Sequence, residues 1–336
     1  MILFGDPAQW LPFIFASLLG LSILIYVCLD GFDLGVGLLF PFAGQIEKDR
    51  MVASIGPFWD ANETWLVLAV GLLLVAFPFA HGEILGALYL PVAIMLIGLI
   101  LRGVAFEFRV KAPAQYKRFW DNAFLGGSLA VSLCQGFMLG MYIMGLEFTP
   151  MKLTFSLLTA GCLTVAYSFI GACWIIMKTD GDLQKKAVGW ARGGIYGLVL
   201  GLGSISLATP LVSQRIFERW FTFPDTLFLA PLPIMSAVLI FALWYTLRHL
   251  PASDDRLAWF PFVAAMALFA LGFCGMAYSF YPYVVPERKT IYEAASSPDA
   301  LFIMLIGVLI VLPIICAYTA LSYFIFRGKA TELRYY

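Results

Sequence analysis

"GPFWDANETWLVLAVGLLLVAFPF", residues 56–79, decides how this chain is read. Its second half is apolar enough for hydrocarbon. Its first half carries Trp59, Asp60, Asn62, Glu63 and Trp65 in what would be the opening turns of the same helix. An acid at the centre of a bilayer costs roughly 2.5–3.5 kcal/mol even on a lenient insertion scale. Two acids three residues apart therefore need a membrane surface, a protein partner or a task.

Working outward, the class of the molecule comes first. Of 336 residues, 62% are hydrophobic and 12% charged, and the mean hydropathy is +0.89. Soluble domains carry about 25% charged residues, so this is an integral membrane protein. Formal net charge is zero, which gives a nucleic-acid partner no electrostatic support. No Lys or Arg precedes Lys48, so the positive region of a cleavable signal is missing and the first apolar segment is expected to stay. The cysteines (28, 134, 162, 173, 274 and 316) all fall in apolar segments without a CxxC pair. They are expected to be small apolar fillers at helix contacts.

A spanning helix needs about 20 mainly apolar residues. Nine segments qualify: 10–29 with an apolar extension to Phe42, then 57–80, 84–106, 122–146, 154–177, 193–213, 227–248, 258–281 and 300–326. The connections are too short for a soluble domain. The expectation is an all-α protein of nine transmembrane helices, forming a single membrane domain over residues 1–336. The odd connections and the tail, from Lys48 and Arg50 to Arg327, Lys329 and Arg334, hold 15 Lys and Arg; the even ones hold 5. By the positive-inside rule the N-terminus lies outside, in the periplasm, and the C-terminus in the cytoplasm. Gly31 and Gly35, and Gly193, Gly197 and Gly201, repeat every four residues, a spacing that suits close helix contact.

That topology gathers the polar residues. Asp30 and Asp33 fall in the inner part of the first helix, Asp60 and Glu63 at the inner start of the second. Arg102 lies near the inner end of the third, followed by Glu107. Spacings of three put each acid pair on one helix face. Intramembrane ionisable groups usually face the bundle interior and pair with each other. One arginine compensates one carboxylate fully, or two partly. Desolvation and like charge favour the protonated form of the rest, and groups near that balance can pass protons. Two plainer readings stand beside this one: Asp60 and Glu63 as first-turn acids at a helix start, and Asp33 with Arg102 as a structural ion pair.

Only His81 and His249 could supply imidazole to a haem, and they belong to opposite membrane faces. No zinc spacing, phosphate loop or nucleophile motif occurs. The residues therefore suggest proton handling without an electron carrier, leaving either a partner that holds redox centres or a cation-coupled secondary transporter. A transporter should show broken helices at mid-membrane, and the flanks of Pro91 and Pro313 are not Gly/Pro clusters.

"DGFDLGVG" (30–37), "GPFWDANETWL" (56–66), "LRGVAFEFR" (101–109) and "YPYVVPERKTIYEAASSP" (281–298) together resemble the signature of subunit II of cytochrome bd-type quinol oxidases. The modest length and tight connections resemble the cyanide-insensitive branch. The resemblance covers the whole chain and implies a haem-free subunit in the bacterial inner membrane. Its partner, subunit I, would carry haems b and d and the quinol site and reduce oxygen to water. Small single-helix accessory subunits, lipid and quinone are further partners the family suggests. By resemblance, Asp60, with Glu63 and Asp30, lines a proton route from the cytoplasm. Trp65 borders the apolar path for oxygen, and Trp59 and Asn62 lie toward the subunit interface. Asp33 and Arg102 sit in a cavity that quinone or lipid can fill. No catalytic residue, cofactor ligand or metal ligand is expected in this chain. Tyr292–Glu293 departs from the Trp-Asp often found in the family at that place.

Overall fold

The computed structural model describes residues 6–212, 214–252 and 255–330. Ser213, at the end of the sixth expected span, and Arg334 of the basic tail lie outside the described residues. In chain order the elements are α1 (Pro7–Leu38), a 3-10 turn (Phe40–Phe42), α2 (Gln45–Ile55), α3 (Trp59–Ala76), α4 (Pro78–Ala87), α5 (Tyr89–Lys111), α6 (Ala114–Ile143) and α7 (Pro150–Lys178). There follow α8 (Gly181–Val212), α9 (Gln214–Phe221), α10 (Asp225–Leu229), α11 (Pro231–His249), α12 (Phe260–Phe280), an antiparallel hairpin of β1 (Tyr283–Val285) and β2 (Lys289–Thr290), α13 (Ile291–Ala294) and α14 (Pro298–Ile325).

Among the described residues nine helical stretches are long and apolar enough to cross a membrane, and they coincide with the nine segments read from hydropathy. In lipid a helix satisfies its own backbone hydrogen bonds, which is why the apolar runs take this form. The bounds differ where hydropathy has no power. α6 and α8 begin at Ala114 and Gly181 rather than near 122 and 193, because the basic connections continue the helices. Lys, Arg and Gln are good helix formers, and their charge hides the helix from a hydropathy scale. The second span ends at Ala76, not residue 80. Pro78 has no N–H to donate, and a new helix, α4, starts there. The carbonyls of Ala76 and Val75 are taken up by Ser296, through its N–H (2.9 Å) and its hydroxyl (2.6 Å).

The contacts separate two compact units. One comprises residues up to Asp30, then Pro57–Ala87 and Phe280–Arg327. Here α3 turns Ala61, Asn62, Trp65, Ala69, Leu72 and Ala76 inward, a helical stripe. α14 leaves apolar side chains such as Ile303, Leu309 and Phe324 exposed. The other unit comprises Gly31–Gly56, Leu88–Ser279 and Gly328 onward. Its centre is α7, whose segment from Phe169 to Ile176 is buried throughout. Gly35 of α1 rests against the backbone of Tyr167 and Gly171; a Cβ on Gly171 would approach the Gly35 carbonyl carbon to 2.5 Å. Only glycine permits that approach.

Two expectations about small residues are corrected. On α8 the residues in contact are Gly194, Gly197 and Gly201, against Phe169, Val165 and Cys162, whereas Gly193 faces open space. A four-residue spacing names a face only to within one position. Of the cysteines, all free, Cys28, Cys134 and Cys173 are buried, but Cys274 and Cys316 are exposed. A lipid-facing position is as apolar as a core position, so composition does not separate them.

Candidate functional site

α3 starts abruptly. Pro57 and Phe58 precede it, Asn62 N–H bonds the Phe58 carbonyl at 2.9 Å, and no side chain caps the end. Asp60 occupies the first turn, where a carboxylate complements the helix dipole. It is exposed; Glu63 is half-buried; Trp59 is half-buried; Trp65 is 2% exposed. The Trp65 indole N–H is buried and meets no hydrogen-bond acceptor among the described residues.

Asn62 is fully buried and ties three helices of the first unit together. Its amide N–H donates to the Leu29 carbonyl of α1 at 3.3 Å, and its oxygen accepts from the Tyr323 hydroxyl of α14 at 3.0 Å. Tyr323 in turn stacks on Phe58, ring centroids 4.5 Å apart. The side chain placed toward a partner by resemblance is therefore spent on this chain's own interior. The bond to Leu29 seats α3 beside α1 one residue before Asp30, whose carboxyl is fully buried. The first unit thus holds three carboxyls of rising burial: Asp60, Glu63 and Asp30.

Asp33 and Arg102 belong to the second unit and are 1% and 2% exposed. α5 and α6 meet closely at Arg102, where a Cβ on Gly127 would come within 2.9 Å of the Arg102 nitrogen. Glu107, grouped with the other acids by its expected depth, is instead a partly exposed partner of Lys111 at 3.6 Å.

The tightest ionic cluster involves residues that sequence reasoning passed over. Arg109 of α5 donates from Nε to Asp121 Oδ1 (2.5 Å) and from Nη1 to Asp49 Oδ1 (2.7 Å). Asp121 of α6 also accepts from Lys48 Nζ (3.0 Å) and Gln45 Nε2 (2.9 Å) of α2, and Lys117 Nζ reaches both Asp49 oxygens at 3.2 Å. Arg109 and Asp121 are 1% and 2% exposed. The signal was an acid placed directly before the apolar part of the fourth span, across a basic connection. Arg109 was counted only as a loop charge. Outside the spans, Glu47 of α2 accepts from Lys186 Nζ (2.8 Å) and from the Gly44 N–H (2.7 Å), which hold its carboxyl below the usual range. At the β1–β2 hairpin the Thr290 N–H donates to Glu293 at 2.9 Å and lowers that carboxyl likewise. The glutamate that departs from the family's usual residue thus closes a capping box on α13.

The pattern of the family described as cytochrome bd terminal oxidase subunit II matches residues 11–326. The chain belongs to this family. Members are parts of a membrane oxidoreductase, the bd-type quinol oxidase, and are multi-pass proteins of the inner membrane. The family decides against a cation-coupled transporter. Cytochrome bd-I ubiquinol oxidase subunit 2 of Escherichia coli (strain K12) is 28% identical over 368 aligned positions, covering 96% of each chain. Cytochrome bd ubiquinol oxidase subunit 2 of Bacillus subtilis (strain 168) is 29% identical over 327, covering 90% of this chain and 92% of that one. A chain of the bd oxidase from Geobacillus thermodenitrificans shares the fold, with a TM-score of 0.71 at 19% identity over 95% of this chain and 99% of that one.

Proposed function

We propose that this subunit II binds no haem, stabilises a haem-bearing subunit I and brings it protons and oxygen. The observation that carries the proton role is the graded burial of Asp60, Glu63 and Asp30 around the start of α3. An exposed carboxylate exchanges protons with water, a half-buried one a turn further in can relay them, and a buried one hands them on. Proton transfer needs groups that take up and release a proton at working pH. The 15-to-5 bias of Lys and Arg supports an N-terminus outside and a C-terminus in the cytoplasm, which opens this mouth to the cytoplasm. Trp65 and the small residues on its face suit an apolar passage for oxygen. Asp33 and Arg102 form an ion pair, or polar walls of a cavity for quinone or lipid. Trp59 lies toward subunit I, while Asn62 sets the position of α3 from within. Haems b and d belong to the partner, and the chain works as one membrane domain. The relatives' names give ubiquinol as the electron donor, and a quinol is the donor proposed here.

Asp60→Asn keeps shape and hydrogen bonding but cannot ionise. The variant complex is expected to assemble with its haems yet turn over quinol at least about tenfold more slowly, a fraction of what a positioned proton-transfer group commonly contributes. Glu63→Gln should be milder, because water can bypass a relay. If Asp60 serves only the helix start, asparagine is an adequate replacement. Turnover equal to the parent between about pH 6 and pH 8 would then remove the proton role from Asp60.

A further inference from the structure

At the turn joining α5 to α6 an open groove of about 520 Å³ is lined by Phe108, Lys111, Tyr116, Phe119 and Trp120 among others. We propose that this groove binds one anionic phospholipid, its phosphate on Lys111 and its glycerol and upper acyl chains against the rings. Both helices are spanning segments, so their shared turn lies at a membrane surface whichever way the chain is oriented. The aromatic wall is preformed: the Trp120 ring lies 5.2 Å from Phe108 and 5.0 Å from Phe119, the latter edge-on. The turn beneath is braced by the buried Arg109–Asp121 pair at 2.5 Å and by Lys117 on Asp49 at 3.2 Å. Apart from Lys111 the named walls are aromatic. Lys111 is 68% exposed and pairs with Glu107 at 3.6 Å, a loose pair that a phosphate can share. Arg118 is exposed on the same turn. One cation set in an apolar aromatic trough at the level of the headgroups complements a lipid phosphate with its chains attached, not a soluble anion. Basic pockets between spanning helices take anionic headgroups on the same principle.

The test uses the complex extracted from membranes and reconstituted with photoactivatable phosphatidylglycerol or phosphatidylcholine, the crosslinks mapped to peptides. Phosphatidylglycerol should label residues 108–120 in preference to phosphatidylcholine. Lys111→Gln should cut the anionic labelling about fivefold, the worth of one cation near a lipid surface, and the zwitterionic labelling by less, because choline's own cation already offsets its phosphate. Lys111 is exposed and its loss leaves the brace intact, so the variant should fold. Equal labelling by the two lipids, anionic labelling unaltered in Lys111→Gln, or no label within 108–120 would each overturn the proposal.

Discussion

Taking a charge out of water costs several kcal/mol, recovered only by a partner of good geometry. The Arg109–Asp121 contact meets that condition, with three further donors and acceptors around it, while Arg109 Nη2 meets no acceptor among the described residues. Asp121→Asn would replace the buried carboxylate at Arg109 Nε by a neutral amide and leave its charge to the half-exposed Asp49, and breaking a buried pair costs up to roughly 3–5 kcal/mol. Folded yield and thermal stability should fall steeply. Lys48→Met, at a side chain 14% exposed, should cost far less, because Gln45 and Arg109 still hold Asp121. Equal losses in the two variants would remove Asp121 as the hub. Asp33 and Arg102 invite a different comparison. Arg102→Leu should impair assembly by a similar ~3–5 kcal/mol if it strands a buried carboxylate, and adding Asp33→Asn should restore part of the yield. A double variant no better than the single one would show that they are not partners.

Elements here are joined by backbone proximity as much as by side chains. α1 meets α7 where Gly35 and Gly171 face each other. Ala at Gly171 would force its Cβ to 2.5 Å from a backbone carbon that cannot swing away. Gly171→Ala should therefore cost several kcal/mol, at the high end of the roughly 1–3 kcal/mol typical of overpacking, and be read as loss of complex on extraction. Gly193→Ala, on a face open to space, is the matched control and should be silent or slightly stabilising. Similar behaviour of the two would mean that α1 and α7 are not in this contact. The break between α3 and α4 follows the same logic. The end of α3 before Pro78 frees the carbonyls of Val75 and Ala76, and Ser296, far along the chain, satisfies them, so the interruption is a joint rather than a defect.

As a whole molecule, the chain is a membrane subunit of a quinol oxidase, and the proposal that its partner holds the haems can be tested on its two histidines. His249 directs Nδ1 at the Tyr245 carbonyl 2.8 Å away, at the exposed end of α11, and His81 is half-buried in α4. Replacing both with alanine should leave the visible haem spectrum of the purified complex unchanged. Loss of any haem band from an otherwise intact complex would place a ligand here and overturn the haem-free assignment. The extensive apolar exposure of α14 and α11 is what a chain surrounded by lipid and a partner subunit presents.

Among the described residues, the nine apolar spans, their helical form and which of them carries Asp30, Asp33, Asp60, Glu63 and Arg102 were legible in the sequence. Hydrocarbon imposes a length and an apolarity that leave little choice. The family was legible too, since its motifs are local runs. What the sequence left open are matters of distance between remote residues. Nothing in the local pattern says that Asn62 bonds Leu29 and Tyr323, or that Asp121 gathers Arg109, Lys48 and Gln45. Nor does it say that Asp60 stays exposed while Asp30 is fully buried. Apolar periodicity reports which residues avoid water. Once both lipid and protein interior satisfy that demand, only the tertiary arrangement decides which face meets another helix, and so which polar groups find each other.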